Sequence, residues 1–314
     1  MDPLAIRTEM IKANGLSFEV DICGDGPKFA LALHGFPESK YSWRHQLPML
    51  ARLGYTVWAP NMRGYGQSSR PHGKAAYEID HLVDDAVGLI DAAAARGLSG
   101  PTTLLAHDWG GMIGWTCALR QTRPLDRFIV MNLPHPTLFH KRLYTWAQLK
   151  RSWYMFFFQL PWLPEQLLCA FGARAIDAIF RGMAVDKSRF PKAVLDHYRK
   201  NALIPGAMTA MLNYYRASLG NPALGAEWRN PPIIDTPTLM IWGEKDAALG
   251  LELTHGTDAL MRDLTFRTLP GVSHWVQQEA PETVNAMIMA WLTGEPVLRA
   301  GHGGRLLLAN VASQ

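Results

Sequence analysis

The segment LLAHDWGGMIGW, Leu104 to Trp115, puts an aspartate where the surrounding residues would suit a nucleophilic serine. The apolar run Thr102 to Ala106 reads as a buried strand, and Gly110 and Gly111 open an apolar helical pattern through Met112, Ile113, Trp115 and Ala118. A strand, a sharp turn and a helix with small residues flanking the turn make a nucleophile elbow, usually written G-x-S-x-G. Here Ala106 stands for the first glycine, Asp108 for the serine, and Gly110 is kept. Small neighbours are needed because the turn pushes the nucleophile into a strained, exposed position where a larger residue would collide. A serine must lose a proton before attacking, whereas an aspartate, with a reference pKa of about 3.9, is already an anion at neutral pH. The chemistry expected of Asp108 is direct displacement at a saturated carbon, which leaves an alkyl ester for water to hydrolyse. The plainer alternative is an ordinary N-cap for the helix that follows.

Hydrolysis of such an ester needs a base, and His274 in GVSHW, oriented by Asp246 in WGEKD, is the candidate. These residues need a scaffold that brings them together. Strand-like segments at Leu16 to Ile22, Phe29 to Leu33, Thr56 to Pro60, Thr102 to Ala106, Phe128 to Asn132, Thr238 to Trp242 and Thr265 to Leu269 alternate with helical ones. That alternation predicts an α/β fold with a mostly parallel sheet flanked by helices. Between Asn132 and Thr238 the strands stop, and an aromatic, Met-rich, helically spaced region reads as an inserted helical cap. The expected organisation is a core over 1–133, a cap or lid over 134–235, and a second part of the core over 236–314 ending in a tail from Gly301. In an open parallel sheet, ligands sit beyond the carboxyl ends of the strands. His34, Gly35, Phe36 and Pro37, then Asp108 and Trp109, then Asp246, then His274 all fall at such ends, which favours a catalytic Asp108 over a capping one. The order Asp, Asp, His matches the nucleophile, acid, histidine order of α/β-hydrolases.

With these residues in place, the chain resembles the epoxide hydrolases of the α/β-hydrolase superfamily. HGFPES (His34 to Ser39), RGYGQSSRP (Arg63 to Pro71), HDWGG (His107 to Gly111), WGEKD and GVSHW carry the likeness, which extends from about Ile11 to Leu292. Asn61 departs from it, since the family often has Asp ahead of the Arg-Gly-Tyr-Gly turn. The resemblance and the elbow together point to the backbone N–H groups of Phe36 and Trp109 as an oxyanion hole for the ester-hydrolysis step. His34 and His107 are expected to be structural. An opened epoxide leaves a basic alkoxide that benefits from a proton donor, and a phenol with a reference pKa of about 10 can supply the proton at neutral pH. Tyr154, in SWYMFFFQLPWLP, and Tyr215, in MLNYYRASL, agree with the family pattern. Helical spacing puts Tyr215 on the stripe of Met208, Met211, Leu212 and Leu219, with Tyr214 rotated away. Phe36, Trp109, Trp153, Met155, Met211 and Trp275 are the expected substrate-binding residues, for a small apolar epoxide that meets water in the site.

Competing readings are a haloalkane dehalogenase, which usually has a halide-holding Asn or Trp where this chain has Phe36, and a non-catalytic small-ligand-binding homologue. Fluoroacetate dehalogenases follow the nucleophile with arginines, where this chain has Trp109 and Met112. A serine esterase is excluded because no G-x-S-x-G occurs.

Composition narrows the rest. The 314 residues are 48% hydrophobic with a net charge of only +4, too weakly and diffusely basic for a nucleic-acid partner. Cys23, Cys117 and Cys169 are odd in number and far apart, which suits reduced thiols, and MDPLAIRTEM lacks a signal-peptide core. A cytoplasmic monomer or homodimer is expected. The greasiest stretch, Trp153 to Leu163, is too short and too interrupted to span a bilayer. The basic, aromatic segment HKRLYTWAQLKRSWYMFFF suits a membrane surface weakly, and suits better a cap helix with one buried and one solvated face. No H-E-x-x-H, paired-Cys or dinucleotide glycine motif occurs, so no metal and no cofactor beyond water is expected.

Overall fold

The computed structural model describes residues 4–219 and 227–305. Its strands are β1 (Arg7–Ala13), β2 (Leu16–Cys23), β3 (Lys28–Leu33), β4 (Tyr55–Pro60), β5 (Thr102–His107), β6 (Leu125–Met131), β7 (Thr238–Gly243) and β8 (Leu264–Leu269). They form one sheet in the order β1-β2-β4-β3-β5-β6-β7-β8, antiparallel at β1–β2 and β2–β4 and parallel from β4 to β8. Seven of these strands coincide within a few residues with those expected from the sequence. The eighth, β1, was not expected, because RTEMIKA at the sheet edge buries only Ile11 and Ala13 and so lacks the apolar run of an interior strand. Its signal was the turn: Asn14 and Gly15 both take positive φ, 47° and 69°, the pairing that closes a tight hairpin.

The central strands are buried on both sides, and neighbouring residues go to opposite cores. Leu104, Phe128 and Met240 pack on the side that carries α2 (Ile79–Ala94) and α3 (Trp109–Arg120), whereas Leu105, Ile129 and Ile241 pack against α1 (Gln46–Arg52) and the helix Pro281–Thr293. This is why these strands read as unbroken apolar runs rather than alternating ones. Between β6 and β7 the described chain is helical: α4 (Pro136–Arg142), α5 (Trp146–Arg151), α6 (Trp153–Phe157), α7 (Leu163–Met183), α8 (Lys192–Ala202) and α9 (Ala207–Ser218). Helix α7 is broken at Ala170 to Ala173, where three residues take positive φ. A ladder of rings, Phe180 on Tyr198 at 4.4 Å and Phe180 on Trp275 at 4.5 Å between centroids, ties α7 and α8 to the segment after His274. Positions 306–314 of the expected tail and 220–226 of the inserted region lie outside the described residues.

The elbow depends on close backbone approach. Asp108 sits at φ 48° and ψ −119° between β5 and α3, and its side chain makes no capping hydrogen bond to the helix, which removes the N-cap reading. A Cβ on Gly110 would meet the Leu33 carbonyl oxygen at 2.2 Å, and one on Gly35 would meet the Asp108 side chain at 2.4 Å. Neither obstacle is a flexible side-chain end. Gly110→Ala is therefore expected to cost roughly 3 kcal/mol or more of stability, as overpacking against fixed backbone does. Urea unfolding measures it, and a loss well under 1 kcal/mol would show that the elbow tolerates a methyl group.

Candidate active site

The carboxyl ends of β3, β5, β7 and β8 bring the expected residues together. The Phe36 N–H donates to Asp108 Oδ1 at 2.7 Å. The other oxygen, Oδ2, lies 3.7 Å from His274 Nε2. Behind the imidazole, His274 Nδ1 meets Asp246 Oδ2 at 2.6 Å. Asp246 is fixed in turn by the N–H groups of Ala248 and Leu249, which donate to Oδ1 at 2.8 and 2.9 Å, and by Asn132 Nδ2, which donates to Oδ2 at 2.7 Å. Trp109 is the first residue of α3, where backbone N–H groups have no partner within the helix.

The electrostatics are those of buried charges facing one another. Burial pushes the Asp246 carboxyl up, but the His274 charge and the hydrogen bonds from His274, Asn132 and Leu249 outweigh it and hold the group below the usual range. For His274, burial works against the cation, yet the Asp246 charge and hydrogen bond, with the Asp108 and Glu38 charges, push the ring up to about 9. The resting site therefore holds an imidazolium at neutral pH, with one negative partner on each side.

Sequence reasoning missed two residues of this centre. Asn132 follows β6 with φ 42°, accepts from the Gly243 N–H at 3.0 Å and so joins two strand ends while it holds Asp246. It stands at a strand end, like the residues that were singled out, and a left-handed Asn is the usual sign of a specialised turn. Glu38, fully buried, collects donors from the Gly35 N–H (2.9 Å), His107 Nδ1 (2.7 Å), Gln277 Nε2 and Gln278 Nε2 (2.8 Å each). Burial raises its carboxyl, and the His107 charge and hydrogen bond, with the Gly35 N–H, bring it below the usual range. His107 Nε2 reaches the His274 carbonyl at 2.9 Å. His34 takes the Met62 N–H on Nε2 at 3.1 Å and gives Nδ1–H to the Gly35 carbonyl at 2.9 Å, and burial lowers it to about 4, a neutral ring. Both histidines brace the turns. Asn61, the departure from the family pattern, accepts from the Lys40 N–H at 2.9 Å and donates to Glu19 Oε2 at 2.8 Å, a donation an Asp carboxylate there could not make.

Asp108, Tyr154 and Tyr215 stand where two apolar cavities meet. One, of about 120 Å³, is walled by Trp109, Met112, Leu133, Phe139, Met155 and Trp228 among others. The other, of about 330 Å³, is walled by Phe36, Trp153, Phe157, Met183, His274 and Trp275 among others. Five of the six expected substrate-binding residues, Phe36, Trp109, Trp153, Met155 and Trp275, line one or other of these arms. Met211 does not. It lies in the core at 1% exposure, one turn before Tyr215 on α9, because both faces of that helix are covered. Tyr215 reaches the cavity wall, with its ring 5.9 Å from that of Tyr154, while Tyr214 turns away and donates its hydroxyl to the Arg63 carbonyl at 2.9 Å. Burial and the Asp108 charge push both the Tyr154 and Tyr215 phenols well up, so they keep their protons beyond the usual range.

Removing the negative charge of Asp108 takes away one support of the imidazolium. Asp108→Asn is therefore expected to lower the His274 pKa below about 9, by an amount that an NMR titration of ring-labelled histidine reads. An unchanged value would mean that Asp246 and Glu38 set it without Asp108.

Comparison with known proteins gives the family. The family model described as alpha/beta hydrolase fold matches residues 31–281. Mouse epoxide hydrolase 4 is 35% identical, over 91% of this chain and 79% of its own length. The AB hydrolase superfamily protein YfhM of Bacillus subtilis is 34% identical, over 92% of this chain and 99% of its own. Among solved structures, Bacillus megaterium epoxide hydrolase in complex with an inhibitor superimposes with a TM-score of 0.79 at 28% identity, over 91% of this chain and 100% of that one. By sequence and by fold, the chain belongs to the α/β-hydrolase fold family and, within it, to the epoxide hydrolases.

Proposed function

We propose that this protein hydrolyses an apolar epoxide to a vicinal diol through an ester on Asp108. The observation that carries the reading is the junction of the two cavities. There, one carboxylate oxygen is held by a fixed N–H while the other faces His274, with two protonated phenols on the same wall. Phe36 engages Oδ1, which leaves Oδ2 to attack a ring carbon. As the C–O bond of the epoxide breaks, Tyr154 and Tyr215 hydrogen-bond the ring oxygen and one of them delivers a proton to it. The ester is neutral, so His274 loses the Asp108 charge that helped hold its proton, and its pKa falls. The proton it gives up restores the phenolate left by ring opening, and the neutral imidazole is then a base at the stage when one is needed. It takes a proton from water, which attacks Cγ of Asp108. The oxyanion then sits on Oδ1 against the Phe36 N–H, with the Trp109 N–H as second donor. Its collapse breaks the ester C–O bond, the leaving alkoxide takes the proton from His274 to give the diol, and the Asp108 carboxyl returns its proton to the imidazole. Asp246 keeps the ring oriented and stabilises its charged form.

The helical region over 134–235 acts in this reading as a cap, set into a core of 1–133 and 236–314, and supplies the tyrosines and half of the cavity wall. A cytoplasmic monomer or homodimer fits the reading. Cys117 and Cys169 lie unpaired in different helices, and no helix among the described residues is long and apolar enough to cross a membrane. An apolar substrate is supported by the walls of both arms, and the Bacillus megaterium enzyme has been crystallised with its product (R)-3-[1]naphthyloxy-propane-1,2-diol. A dehalogenase reading is not favoured, since a halide leaves as a stable anion and would make no use of two buried phenols.

His274→Gln is expected to be alkylated by substrate and to release product very slowly. Because ring opening loses no atoms, intact-mass spectrometry should show a gain of the whole substrate mass, on the peptide containing Asp108. An adduct elsewhere, or none from an epoxide that the wild type turns over, would refute the covalent route.

Replacing both Tyr154 and Tyr215 by Phe is expected to abolish alkylation of Asp108, and each single replacement to slow it by about 10²-fold or more, the usual scale of lost general-acid assistance. Single-turnover kinetics reads the step directly. Wild-type rates in the double variant would remove the proton-donor role.

A further inference from the structure

The chain from Arg127 to Pro164 contains five Lys and Arg residues and no Asp or Glu. Four of these cations, Lys141, Arg142, Lys150 and Arg151, fall on α4 and α5, in the segment whose solvated face was expected to be ordinary. That face is not an ordinary solvated one. Tyr144 is 64% exposed, Trp146 73% and Trp153 63%, and Phe156, on the same helix as Trp153, is exposed too. Lys150 stands over the Trp146 ring at 5.2 Å, and Trp153 and Phe157 lie 6.0 Å apart on α6. Soluble proteins seldom leave so many aromatic rings in water within one short stretch. The charges around them are mostly unanswered. Arg151 pairs with Glu252 at 2.8 Å and Arg142 donates to the His255 carbonyl at 3.0 Å, while, among the described residues, Arg142, Lys141 and Lys150 have no carboxylate partner. Exposed Trp and Tyr interleaved with Lys and Arg are the composition of a surface that settles at the headgroup level of an anionic bilayer.

We propose that the face formed by α4, α5 and α6 docks on an anionic lipid surface. Tyr144, Trp146, Trp153 and Phe156 enter the headgroup region, and Lys141, Arg142 and Lys150 face lipid phosphates and carboxylates. The position of the face supports this partner over a second protein. Exposed Trp153 and half-buried Arg151 and Phe157 line the larger cavity arm, so this face borders the apolar path toward Asp108. An apolar substrate concentrates in a bilayer, and a mouth resting on that bilayer receives it without a passage through water. The docking goes beyond the reaction assigned above and does not depend on it, because lipid binding is measured without any epoxide.

The test is flotation of the full-length protein with vesicles of phosphatidylcholine alone and of phosphatidylcholine mixed with phosphatidylserine. The wild type is expected to float with the mixed vesicles, much less with the neutral ones, and to be released by high salt. Each cation near such a surface contributes about a fivefold factor in partitioning. A variant combining Lys141→Glu, Lys150→Glu and Trp146→Ser is thus expected to float at least about tenfold less. It should keep the wild-type circular dichroism spectrum and wild-type turnover of a freely dissolved epoxide. Equal flotation of wild type and variant, or no preference for the anionic vesicles, overturns the proposal. So does a wild-type dimer in sedimentation that the variant splits into monomers, since the face would then belong to a second copy of the chain.

Discussion

The site rests on keeping one carboxylate ionised in a place that disfavours charge. The Asp108 side chain is only 13% exposed, with apolar arms on both sides, and removing an ion from water costs several kcal/mol unless something replaces the water. Here the replacements are the Phe36 N–H on one oxygen and the imidazolium of His274 near the other. Neither is mobile. The N–H comes from a turn that must pass so near that residue 35 has to be glycine, and the imidazolium is held by an aspartate that itself accepts four hydrogen bonds. A loose arrangement would let water in to solvate the carboxylate.

Rigidity of that kind is shared between loops from distant parts of the sequence. Glu38 links the turn carrying Phe36 to His107, the residue before the nucleophile, and to Gln277 and Gln278 beyond His274. Gln278 passes the connection on, accepting from the Tyr198 hydroxyl on α8 at 2.6 Å and from Arg44 at 2.8 Å. The helical insertion is thereby joined to the catalytic edge of the sheet by hydrogen bonds as well as by packing. Breaking a buried network of this sort at Glu38 would leave its donors without their acceptor.

Much of this was legible in the chain. The elbow could be read because its requirement is negative, an absence of bulk around one position, and glycine and alanine state that openly. The parallel strands could be read because burial on both faces erases polar residues from them. Helical spacing put Tyr215, not Tyr214, toward the cavity whose walls it lines, yet gave Met211 to the cavity as well, because spacing assigns a direction and not a depth, and α9 is enclosed on every side. Glu38 and Asn132 escaped notice for a different reason. A polar residue in a turn has many ordinary uses, and its role as a hub exists only once four or five segments have converged on it. The polar edge strand β1 was hidden for want of apolar residues, although its Asn-Gly turn was in plain view.

The cavity meeting at Asp108 is lopsided, with about 330 Å³ on one side and about 120 Å³ on the other. In the reaction proposed above, an epoxide held by the two phenols at that junction, with substituents on both ring carbons, places them toward the two arms. Unlike substituents then have two placements, and the larger group fits only one of them well. Since the carboxylate attacks from a fixed side and inverts the carbon it strikes, the placement that fits selects which carbon is struck. In the reaction proposed above, the difference in room between two compartments biases which carbon is struck, and residues on the wall of the narrower one, such as Phe139 and Trp228, take part in that bias.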